Sequence, residues 1–215
     1  MTIRFADRTE AGYALAARLT EYAGQTDVLV LGLPRGGVPV AFAVARALRA
    51  PLDVLIVRKI GAPGQPEFAL GAIATGGILV PNDEVPASWI EAPEVAATVE
   101  AERRELARRE QAYRSGRGAL TLRGKRVLLV DDGAATGSSM LAAVNAARLL
   151  GARQITVALP VASIDAAEKL SREADRVVCL STPASFMAVG QWYEDFPQTS
   201  DAEVKALLQP PPNDP

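Results

Sequence analysis

Apolar residues fall along this chain in two rhythms that alternate: short unbroken runs, and stretches in which they recur three and four positions apart. The runs are Val28-Leu29-Val30-Leu31-Gly32-Leu33, residues 52–57, Val127-Leu128-Leu129-Val130, residues 154–159 and residues 176–180. Runs of this length without polar interruption predict strands buried on both faces. The spaced stretches predict helices. The first, over 7–23, opens with Asp7 and Glu10 in capping-box spacing and continues through Leu15, Leu19 and Tyr22. A second covers 39–48, with Pro39 in the first turn, where a missing amide is harmless. Helices over 138–150, stopped by Gly151, and over about 164–173 separate the last three strands. Strand-helix alternation of this kind predicts an α/β fold, a doubly wound and mainly parallel sheet of about five strands, whose ligands bind beyond the carboxyl ends of the strands.

Two stretches interrupt the alternation. Residues 61–86 are rich in Gly and Pro, with strand-like pieces at 68–74 and 78–80, and predict a hairpin or lid over about 60–86. Residues 91–117 predict a charge-dense helix with one apolar stripe, Val95, Val99, Leu106 and Tyr113. Glu alternates with Arg throughout it, which favours a solvated helix on the surface or against a second subunit over a nucleic-acid patch. The length suits one domain over 1–208. The tail, 209–215, is expected to be disordered, with Pro at four of its seven positions.

The chain's 49% hydrophobic and 22% charged residues are a globular balance, and a net charge of -2 leaves no nucleic-acid footprint. No apolar run reaches membrane-span length, and the start lacks a basic flank leading into an apolar stretch, so a cytoplasmic protein is expected. The single cysteine, Cys179, sits in an apolar run and reads as a core thiol. The absence of histidine removes Ser-His-Asp hydrolysis, His-ligated zinc and imidazole acid-base chemistry. Chemistry here rests on carboxylates, Lys, Arg, hydroxyls, backbone amides and a hard metal ion.

Residues 127–140 carry the strongest chemical pattern. An apolar strand delivers Asp131 and Asp132 to the sheet edge, and small residues with three hydroxyls, Thr136, Ser138 and Ser139, then open a helix. Amides at a helix start, beside Gly and hydroxyls, suit a phosphate monoester. The carboxylates would repel that phosphate at contact. Some ångströms away they can accept hydrogen bonds from sugar hydroxyls or hold magnesium through water.

This order of residues resembles the motif of the type I phosphoribosyltransferases for 5-phosphoribosyl-1-pyrophosphate (PRPP). The resemblance implies that Asp131 and Asp132 grip the ribose hydroxyls and are the metal candidates for Mg²⁺. It implies that Gly133, Ala134, Ala135, Thr136, Gly137, Ser138 and Ser139 cradle the 5′-phosphate. Ala135 departs from the pattern, standing where many members carry a second Thr. Residues 31–37 look like the family's pyrophosphate loop, with Arg35, Gly36 and Gly37, and Arg58-Lys59, placed at the end of the second strand, resembles its basic pair. Asp131, Asp132, Lys59 and Arg35 form the implied catalytic set. Residues 64–72 fall where the family has a mobile lid. A C-terminal hood over about 181–208 would offer Phe186, Val189, Trp192 and Asp195 to an acceptor. The similarity runs over about 28–196, and the 91–117 helix has no counterpart in compact members.

The implied reaction displaces pyrophosphate from C1 of PRPP by a nitrogen nucleophile, with Asp132, Glu67 and Asp195 as candidate bases. The expected partners are PRPP and an acceptor base, with neither nucleic acid nor membrane, and the expected assembly is a homo-oligomer, a dimer favoured. Two alternatives are a regulator that senses PRPP or a nucleotide without turnover, and a hydrolase or lyase of another phosphorylated sugar. Neither a P-loop nor a Gly-x-Gly-x-x-Gly motif is present, which argues against a P-loop nucleotidase or a dinucleotide dehydrogenase.

Overall fold

The structure, a computed structural model, describes residues 4–82 and 85–209, the side chains of 66, 67 and 87 excepted. The expected tail therefore lies, apart from Gln209, outside the described residues, as does the side chain of Glu67. From the N-terminus the chain forms α1 (Arg8–Ala16), β1 (Val28–Gly32), α2 (Gly37–Leu48), β2 (Leu52–Val54), β3 (Val57–Ala62), β4 (Gln65–Ala74) and β5 (Ile78–Pro81). It continues through α3 (Pro93–Arg114), β6 (Arg126–Val130), α4 (Ser138–Leu149), β7 (Gln154–Val161), α5 (Ile164–Glu173), β8 (Arg176–Ser181) and α6 (Asp201–Leu208).

Five strands make a parallel sheet in the order β2-β1-β6-β7-β8. Side chains alternate across it. Val28, Val30, Leu128 and Val130 join Leu15 and Leu19 and, from α2, Val40, Val44 and Leu48. Leu31, Val127, Leu129, Ile155 and Val157 join Met140, Ala143 and Val144 of α4 and Leu170 of α5. Both faces are dry, which is why these strands read as unbroken apolar runs. The strand order reverses between β1 and β6, so a crevice opens beyond their carboxyl ends. Residues 33–37 and 131–137 stand there.

A second sheet, β3-β4-β5, is antiparallel. Ile60, Leu70 and Ile73 bury one side with Val95, Leu106 and Tyr113 of α3. Ala72, Ala74 and Val80 bury the other with the α4 cluster. The expected hairpin is thus three-stranded. The second parallel strand, expected over 52–57, ends at Val54. Beyond it Ile56 N–H donates to Thr75 Oγ1 at 2.9 Å and Ile56 C=O accepts from Thr75 N–H at 2.9 Å, so the chain has changed sheets before Arg58.

Other expectations shift less. The first helix ends at Ala16 rather than 23, and the chain then tightens into a 3₁₀ turn over Thr20–Tyr22. Leu19 and Tyr22 remain buried all the same, and the Tyr22 hydroxyl lies 2.8 Å from Thr156 Oγ1. The apolar stripe of α3 lies against the antiparallel sheet, and its charged residues and several alanines face solvent. Cys179 is half-buried, its Sγ donates to Ser181 C=O at 3.2 Å, and burial pushes the thiol up. Among the described residues, no helix is long and apolar enough to cross a membrane.

Candidate functional site

At the end of β6 the two carboxylates differ sharply in their surroundings. Asp131 Oδ1 accepts the Asp132 N–H at 2.9 Å, and burial together with the Asp132 charge raises its pKa well above the usual carboxylate range. Asp132 is also raised by burial, but an arginine opposes the shift. That arginine is Arg8, whose Nε donates to Asp132 Oδ2 at 2.9 Å from the first residue of α1. The Tyr193 hydroxyl donates to the Asp132 C=O at 2.5 Å, and burial raises the phenol's pKa so that it stays a donor.

The loop after β1 presses on this pair. A Cβ on Gly36 would stand 2.1 Å from Asp132 Oδ2, and one on Gly37 would stand 2.7 Å from the Val130 C=O and 2.8 Å from Asp131 Cα. Backbone leaves room only for glycine at 37, and a side chain at 36 would have to displace the Asp132 carboxylate. The Pro34-Arg35 peptide of this loop is cis.

Beyond the acids, Gly133 has no room for a side chain between Val161 and Val189, so the hood rests directly on the start of the loop. Ala134 pairs with Ala162, and Ser163 N–H donates to the Ala134 C=O at 2.9 Å. Ser163 Oγ donates to the Ala135 C=O at 2.7 Å and accepts the Ala166 N–H at 3.0 Å. Ser163 thus pins the loop to α5, an anchor that sequence reasoning missed; its helix-capping position was the available signal. Gly137 turns the chain into α4 at φ 75°, packed on Ala166. The N-cap, Gly137, has no side chain to cap α4, and Thr136 Oγ1 accepts the Ser138 N–H at a long 3.4 Å. Thr136, Ser138 and Ser139 are exposed, with Thr136 Oγ1 and Ser138 Oγ 3.1 Å apart. The result is a helix N-terminus ringed by hydroxyls and small residues, suited to an anion.

The basic residues are more dispersed. The Arg35 guanidinium lies 3.5 Å from Asp201 at the start of α6, a carboxylate that also accepts the Tyr113 hydroxyl at 2.6 Å. Burial, aided by Asp201, pushes the Tyr113 phenol up to about 12. Arg58 and Lys59 lie on opposite faces of β3, because neighbouring residues of a strand face opposite ways. Arg58 stands opposite Ile73, on the α3 side, and its Nε donates to Glu102 at 2.7 Å. Lys59 stands opposite Ala72, on the α4 side. Their expected place at the end of a parallel strand is corrected by the change of sheet at Ile56.

In the hood, Phe186 and Val189 are half-buried and Asp195 is exposed. Trp192 is only 6% exposed and packs with Phe5, Ala11, Val161 and Tyr193, so most of its ring is part of the core. Among the described residues, no group of three or more His, Cys, Asp or Glu is arranged to hold a metal ion by itself.

The sequence model of the phosphoribosyl transferase domain family matches residues 8–195. Two Mycobacterium tuberculosis proteins that bear the name of phosphoribosyl transferases, from strains CDC 1551 and H37Rv, are each 49% identical over 205 residues, covering 95% of this chain. The chain spans about half the length of these curated relatives, 46% of each. The crystal structure of TT1426 from Thermus thermophilus is 46% identical, with a TM-score of 0.86 over 96% of this chain and 98% of that one.

Proposed function

We propose that this chain, which belongs to the phosphoribosyl transferase family, moves the 5-phosphoribosyl group of PRPP onto a nitrogen acceptor, a nucleobase, and releases pyrophosphate. One observation carries this reading. Two carboxylates, a helix N-terminus ringed by hydroxyls and a glycine loop in contact with those carboxylates meet at the point where the strand order reverses.

The amides and hydroxyls of 136–139 hold the 5′-phosphate, and the helix dipole of α4 adds to their pull. Asp131 and Asp132 accept hydrogen bonds from the ribose hydroxyls, which sets the distance from the phosphate to C1. The glycines of 36–37 let backbone amides approach the diphosphate. Arg35 exchanges its long, half-exposed contact with Asp201 for the diphosphate, a contact worth little on its own. Lys59, on the α4 side of β3, adds a second positive charge as the leaving group develops its own. Phe186, Val189 and Asp195 border the acceptor.

The donor set suits magnesium that arrives with the substrate, because two carboxylates with no third acidic ligand grouped beside them among the described residues leave positions for water and diphosphate oxygens. Magnesium held by Asp131 and Asp132 would neutralise the diphosphate.

The test is pyrophosphate release from Mg-PRPP, with and without a panel of nucleobases and orotate, by wild type, Asp131→Asn and Asp132→Asn. Release that needs one particular base, and that falls below detection in both variants, is the expected result. Release without any base would favour a hydrolase, and tight binding without release a sensor.

A further inference from the structure

We propose that Arg8 is a positioning residue for Asp132, and that through it the N-terminal helix and the hood set the affinity of the ribose site. This rests on the phosphoribosyl reading above. Arg8 is 124 positions away from Asp132, yet the fold buries its guanidinium against that carboxylate. Three direct contacts and a fourth, indirect link fix it. Nε donates to Asp132 Oδ2 at 2.9 Å, one terminal nitrogen donates to the Pro197 C=O at 2.8 Å, and the guanidinium carbon lies 3.7 Å from the centre of the Phe196 ring. The fourth is indirect: Phe196 stacks on Tyr193 at 4.9 Å, and Tyr193 bonds the backbone of Asp132. Phe5, beside α1, exchanges backbone hydrogen bonds with Trp192 and Glu194, so the base of α1 and the hood form one unit around Arg8.

The consequence for the carboxylate is an asymmetry. Oδ2 is bonded by Arg8 and lies against Gly36, whereas no other side chain among the described residues bonds the Asp132 carboxylate. A carboxylate pinned by one oxygen presents the other in a defined direction, as a ribose hydroxyl requires. Without Arg8, Asp132 would face Asp131 with no opposing charge in a buried place, and its rotamer would have no partner to fix it. Arg8 does not itself need to touch the ligand.

The experiment is calorimetric titration of Mg-PRPP into the full chain as wild type, Arg8→Gln, Arg8→Lys, Asp132→Asn and the double variant Arg8→Gln/Asp132→Asn, each checked for a cooperative melt. Loss of a charged hydrogen bond at this site predicts a Kd about 10- to 100-fold weaker for Arg8→Gln. Lys keeps the charge though not the stacking plane, so Arg8→Lys should recover part of that loss, which a purely structural role would not require. In the Asp132→Asn background, Arg8→Gln should weaken binding no further. Unchanged affinity in Arg8→Gln, an equal loss in both backgrounds, or a folded Lys variant no better than Gln would each overturn the proposal. If Arg8→Gln fails to fold, Arg8→Lys alone decides: affinity equal to wild type refutes any role for the planar guanidinium. Wild-type protein that does not bind Mg-PRPP would instead remove the phosphoribosyl reading, and this proposal with it.

Discussion

A half-buried carboxylate with a second carboxylate beside it costs stability when it is charged, and Asp131 is such a group. Burial and the Asp132 charge raise its pKa in the folded chain, so folding is favoured most below the ordinary aspartate range of about 4 and loses that advantage as pH rises through the raised value. In chelator-treated protein, Asp131→Asn should therefore melt above wild type near neutral pH, with the gap closing toward acid, while losing affinity for PRPP. Thermal melts across that range check the sign; a gap that widened toward acid would show the carboxylate to be stabilising. The glycines beside it predict the opposite pairing of effects. A methyl at Gly37 meets backbone at 2.7 and 2.8 Å, so Gly37→Ala should cost about 1–3 kcal/mol of stability as well as binding, measurable by denaturant titration. What was legible at this scale was whatever lies together in sequence. Asp131, Asp132 and the hydroxyl loop occupy one continuous stretch and read directly, whereas Arg8 gives no local sign of its distant partner. The burial of Trp192 was not legible either, because closely spaced aromatics do not reveal which of them the core takes.

Elements were legible where burial is uniform. The five parallel strands announce themselves because both faces are dry, and α3 because its apolar residues keep helical spacing over 22 residues. β3 was hidden, since Arg58, Lys59 and Gly61 break the apolar pattern and each face of the strand meets a different partner. The antiparallel sheet and α3 depend on each other for burial. Leu106→Ala, in the middle of their contact, should cost about 2–5 kcal/mol in equilibrium unfolding, with the parallel sheet's spectrum otherwise retained. The far end of the β3-β4 hairpin is its weakest part: its register slips between Ile60 and Ala62, and Gly64 turns at φ 74°. Amides of 61–68 should exchange quickly in the free protein and gain protection with Mg-PRPP, as seen by hydrogen-exchange mass spectrometry. Equal exchange with and without the ligand would deny these residues a covering role.

For the molecule as a whole, the strand order decides where chemistry can occur. A doubly wound sheet that reverses between β1 and β6 brings two loops far apart in sequence into contact, residues 33–37 and 131–137, and the sequence told of this only through the alternation of its elements. The family match and the end-to-end likeness to TT1426 agree with that architecture, while the curated relatives extend over about twice this length. The central claim is group transfer, and phosphorus NMR of Mg-PRPP incubated with the chain and each nucleobase in turn tests it most directly. The account predicts that with one base the PRPP signals are replaced, in equal amounts, by pyrophosphate and a nucleoside 5′-monophosphate. PRPP that persists unchanged with every base, or that yields pyrophosphate and ribose 5-phosphate alone, would contradict it.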